Sequence, residues 1–74
     1  MDPEACVQRI FDACGEGPVE MDEFLKACED LAGWLVKGGF APKSLPDINS
    51  SMLLLLRMHN RDAADVIAKA QAAA

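Results

Sequence analysis

A chain of 74 residues with 12 acids against 7 bases and a net charge of -5 has room for one domain and lacks the clustered Lys and Arg that hold phosphate, which excludes nucleic acid as a partner. A domain this small buries only about 60% of the surface its unfolded form exposes. With three Phe, one Trp and no Tyr, its core must come from Leu, Met, Val and Ala, a composition that favours helix over sheet, and an all-α fold is expected.

Asp2 suits an N-cap, Pro3 the first helical position and Glu4 the positive end of the helix dipole. A first helix is therefore predicted to about Phe11, with Cys6, Val7, Ile10 and Phe11 as its apolar stripe.

The next stretch, Asp-Ala-Cys-Gly-Glu-Gly-Pro-Val-Glu-Met-Asp-Glu from Asp12 to Glu23, is punctuated like a calcium-binding loop. An acid stands first, a glycine sixth, an aliphatic residue eighth and a glutamate twelfth: Asp12, Gly17, Val19 and Glu23. A hard cation takes six to eight oxygens, and a short loop must bend sharply to aim them inward. Phe11 and Phe24 bracket the loop. On these residues, 3–36 resemble one EF-hand, the helix-loop-helix unit of the calmodulin superfamily. Glu23, Phe24, Cys28 and Leu31 also resemble the hands appended to larger signalling proteins and cation channels. The resemblance implies calcium as cofactor, with Asp12, Cys14, Glu16, the Pro18 carbonyl, Glu20 and Glu23 as its ligand positions. Two positions depart from the pattern: Cys14 offers soft sulfur where oxygen is usual, and Glu16 is one methylene too long. Weakened ion binding, or a hand-shaped loop without an ion, is the expectation.

A second helix is predicted from near Met21, carrying Phe24, Leu25, Cys28, Leu31, Ala32, Trp34 and Leu35 at spacings of three and four and ending at Gly38-Gly39. Trp34 is either a lid on the core or a partner anchor. Residues 38–46, with Pro42 and Pro46, form a connector, and Ser44 with Asp47 reads as a capping box opening a third helix at about Leu45.

That helix contains Met52-Leu-Leu-Leu-Leu56, then Arg57 and Met58. Five consecutive apolar residues cover every face of a helix. Either it is central to a compact bundle or it leaves a contact surface, in which Trp34, Leu53, Leu54, Leu56 and Met58 are the partner-binding candidates. Asn60 is the expected cap of a last helix through Ala63, Ala64, Val66, Ile67 and Ala70. The chain thus divides into a hand-like unit at 1–37, a linker at 38–46 and a helical segment at 47–74.

Phe24-Leu-Lys-Ala-Cys28, Gly39-Phe-Ala-Pro42 and Asp47-Ile48 are also similar to the early helices of glycolipid transfer proteins. That fold needs a far longer chain to enclose its lipid, and Ser51 stands where a polar residue is expected one turn after the acid.

Cys6, Cys14 and Cys28 have no zinc-site spacing, and an odd count suits reduced thiols in an intracellular compartment, with the organelle left open. The longest apolar run is far short of the roughly 20 residues a membrane span requires; association with a membrane complex is left open. No enzyme is expected, because the lone His59 has no nucleophile or second ligand at useful spacing.

Hands normally pair through loop position eight, here Val19, and the chain has only one. The expected partner is accordingly a second hand or another protein chain. Two functions fit: a non-catalytic EF-hand-like interaction module that responds weakly to calcium, or a small structural subunit that docks into a larger complex without metal.

Overall fold

The computed structural model describes residues 2–15 and 17–73. They form an all-α fold of four helices and one 3-10 turn: α1 (Pro3–Ala13), α2 (Met21–Val36), the turn Leu45–Asp47, α3 (Ser50–His59) and α4 (Arg61–Ala73). Among the described residues there is no strand.

The Asp2 carboxylate accepts the Glu4 N–H at 3.0 Å, so α1 starts where its capping residues predict. It runs beyond Phe11 because Ala13 faces the core, and the Cys14 N–H closes it on the Ile10 and Phe11 carbonyls. Helix α2 opens with Asp22 and Glu23 in its first turn, which favour the positive end of its dipole. Its other end is a Schellman closure: Gly39 N–H donates to the Trp34 carbonyl at 3.0 Å and Gly38 N–H to that of Leu35 at 3.1 Å. This closure needs the φ of +88° that Gly38 adopts without strain.

The connector departs from expectation. Ser44 makes no cap; its N–H and Oγ–H both donate to the Glu4 carboxylate, at 3.0 and 2.8 Å, forty residues away in sequence. Only a 3-10 turn forms at Leu45, and α3 begins five residues later, where the Asn49 side chain accepts the Met52 N–H at 2.9 Å. From α4, Gln71 Nε2 donates to the carbonyls of Leu45 and Ile48 at 2.9 and 2.7 Å, groups a continuing helix would have used. Within residues 38–46, Pro42 and Leu45 are buried.

One apolar core joins all the elements, with Val7 and Ile10 of α1, Phe24 and Leu31 of α2, Leu45, Leu56 of α3 and Ile67 of α4 fully buried. Each large side chain so buried contributes about 1.5–3 kcal/mol. Helix α2 lies between α1 and α4, while α3 packs chiefly on α4. The Asn60 side chain caps α4 by accepting the Ala63 N–H at 3.1 Å. It also donates to Glu29 of α2 at 2.9 Å, tying together the starts of the last helix and the middle of the second.

Candidate functional site

Two regions carry the residues singled out in the sequence. The first is the link between α1 and α2. Gly17 has φ +105°, a backbone conformation open to glycine, so the chain does turn at the sixth position of the loop. The Glu20 N–H donates to the Ala13 carbonyl at 2.9 Å and closes the link. Asp12 is exposed on the last turn of α1 and accepts from Gln8 Nε2 at 3.0 Å. Glu20 is exposed at the N-cap position of α2 without a side-chain capping bond, and Glu23 is exposed one turn on. Asp12, Glu20 and Glu23 border a common hollow of about 300 Å³ whose other walls are Ala13 and Arg9.

Arg9 changes what that hollow can hold. Its Nη1 lies 3.0 Å from Asp30 Oδ2, and this hydrogen bond, with the charges of Asp30 and Glu23 adding to it, keeps the guanidinium still more firmly protonated. Cys14 is half-buried against the core, and burial pushes its thiol up from the ordinary range. Cys28, deeper on α2, is pushed up to about 12, chiefly by burial. Pro18 is exposed, and Glu16 lies outside the described residues. Among the described residues no group of three or more His, Cys, Asp or Glu side chains stands close enough to hold a metal ion. Among the described loop residues, Cys14 offers sulfur, partly buried against the core, where a calcium ion takes oxygen.

The second region is apolar surface. Of the residues expected to meet a partner, Leu56 belongs to the core, 1% exposed, while its neighbours Met52, Leu53 and Leu55 pack against that core only in part. Leu53 is half-buried, whereas Leu54 and Met58, one turn apart, are 61% and 73% exposed. Trp34 is half-buried and held in place: Nε1–H donates to the Phe40 carbonyl at 2.9 Å, and the two rings meet edge to face at 5.5 Å. Its indole covers Gly39 so closely that a Cβ there would overlap the ring.

Two exposed residues escaped the sequence reading: Val36 at 70% and Phe40 at 67%. Val36 sits at the rim of an open groove of about 450 Å³ between the end of α2 and α4, walled by Leu35, Ala41, Val66 and Ala70, with Lys69 as its charged residue. The signal was present as a second periodicity. Val36 continues a stripe through Glu29, Ala32 and Gly33 on the side of α2 that borders α4, and Val66, Ala70 and Ala73 make a similar stripe on α4.

No described helix is long and apolar enough to cross a membrane. The chain matches no family model, and no curated protein or solved structure is significantly similar to it.

Proposed function

We infer that the chain is a non-catalytic helical interaction module, in which the hand-like pair α1–α2 is scaffold and the apolar outer surface meets another protein chain. The observation that carries this reading is the set of large apolar side chains left in solvent after the core has closed: Val36, Phe40, Leu54 and Met58, with Val19 less so, and the groove beside Val36. Large apolar side chains left exposed on so small a domain, one of them lining a groove, mark a contact site. The reading takes the α1–α2 link as a structural turn, because Arg9 already supplies positive charge to the hollow that Asp12, Glu20 and Glu23 border.

An apolar reporter dye and calcium, titrated separately, test the proposal. The dye binds saturably, and Val36→Ser and Phe40→Ser each weaken it; calcium up to about 1 mM releases no heat and leaves Trp34 emission unchanged. Calcium heat with a shift in that emission would replace the module by an ion sensor, and a monomeric chain that binds no dye would remove the contact surface.

A further inference from the structure

On the outer face formed by α2 and α4, half a turn exchanges an acidic end for a basic one. The two helices run side by side in one direction: Asn60 meets Glu29 near one end, and Leu35 and Val36 share the groove with Ala70 and Ala73 at the other. Glu29 and Asp62 border the first end, together with Val36 and Val66. Lys69 borders the second, again with Val36 and Val66. On α4, Asp62, Val66 and Lys69 fall on one stripe, and at 1.5 Å per residue the acid and the base lie about 10 Å apart with Val66 between them. The surface between the charged ends is apolar or small, with Ala32, Gly33 and Ala63 allowing close approach of another helix.

We propose that this face binds a second copy of the chain across a two-fold axis near Val66. Half a turn about that axis sets the two faces antiparallel, lays each Lys69 over Asp62 of the other copy and brings each Val36 to the other copy's groove. A face with opposite charges at equal distances from its centre is complementary to itself, which is what an isologous dimer requires. Lys69 is available for the contact: Arg9 and Arg57 pair with Asp30 and Asp65, whereas among the described residues no carboxylate lies within ion-pair reach of Lys69. A second copy also adds buried apolar surface to a domain whose own size leaves it little. This inference rests on the interaction-module reading and names the partner.

Sedimentation equilibrium on the whole chain, with circular dichroism confirming that each variant is folded, tests it. The wild type is a dimer. Lys69→Glu and Asp62→Lys each weaken the dimer roughly tenfold or more, because symmetry turns one substitution into two like-charge contacts. An equimolar mixture of the two variants dimerises nearly as well as the wild type, since the mixed pair sets each introduced charge against its opposite. Val36→Asp, at a site 70% exposed, gives a folded monomer. Wild-type chain that stays monomeric, single variants that dimerise unchanged, or a mixture that fails to recover would each overturn the proposal. A monomeric wild type that binds the apolar dye removes the second copy and keeps the module; a monomer that binds none removes both.

Discussion

Helices α2 and α3 are both rich in apolar residues and use them differently. In α2 these residues recur at three and four, and the inner stripe of Phe24, Ala27, Cys28 and Leu31 is buried between α1 and α4. In α3 the residues from Met52 to Leu56 are consecutive, the helix packs chiefly on α4, and only Leu56 is fully buried. Apolar content does not decide burial; the number of helices within reach does. One neighbour covers one stripe of a helix, and a continuous run presents more stripes than that.

The strongest way to break this contrast is to empty the core from each helix. Phe24→Ala is expected to cost about 3–5 kcal/mol and Leu56→Ala about 2–5, against a total stability of roughly 4 to 11 kcal/mol for a chain of this length. The first leaves little or no folded protein and the second lowers the melting temperature steeply, both read by thermal circular dichroism. Equal, small effects at the two positions would mean that α3 is as loosely held inside as outside.

The end of α2 comes next in size. Gly39→Ala overlaps the Trp34 indole and forces it from the Phe40 carbonyl, at a cost of about 1–3 kcal/mol for an overpacked site. Trp34 emission moves to the red as the ring enters water, and an unshifted spectrum would show that the ring is not held there. Asn60→Ala removes the cap of α4 and the bond to Glu29 and is expected to cost about 1 kcal/mol.

The clamp from α1 to the connector gives a pH dependence. Hydrogen bonds from the Ser44 backbone and then its side chain hold the Glu4 carboxyl below its ordinary value of 4.5. The folded state therefore takes up this proton later than the unfolded chain as pH falls. The stabilisation is complete above pH 4.5 and is lost as the pH drops from there through the lowered value. Glu4→Gln flattens that part of a melting-temperature profile taken between about pH 3 and pH 7. A profile identical to wild type would remove the clamp. The smallest effect belongs to the outer side of α3: Leu54→Ala changes stability by no more than about 0.5 kcal/mol.

Much of this architecture was legible in the residues. Asp2 with Pro3 located the start of α1, Met21 and Gly38 bounded α2, and Asn60 capped α4, because each of these signals acts within a turn of its own position. Ser44 misled for the opposite reason. Its hydroxyl is satisfied by Glu4 at the other end of the sequence, so a local capping pattern lost to a tertiary bond. The loop residues Asp12, Glu20 and Glu23 do gather about one hollow, but Arg9 joins them from the preceding helix, and nothing in the twelve-residue pattern reports a charge arriving from outside it. Leu56 was indistinguishable from Leu54 in an unbroken run, and packing on α4 alone separates them. Val36 stood at the edge of the strong inner periodicity of α2, which masked the weaker outer one.

The outer α2–α4 face is where the account is most exposed, and methyl resonances followed on dilution of the folded chain test it most directly. Those of Val36, Val66 and Ala70 are predicted to shift together as the protein is diluted, while those of Leu54 and Met58 stay where they are. Movement confined to Leu54 and Met58, or no movement at any of the five, would contradict it.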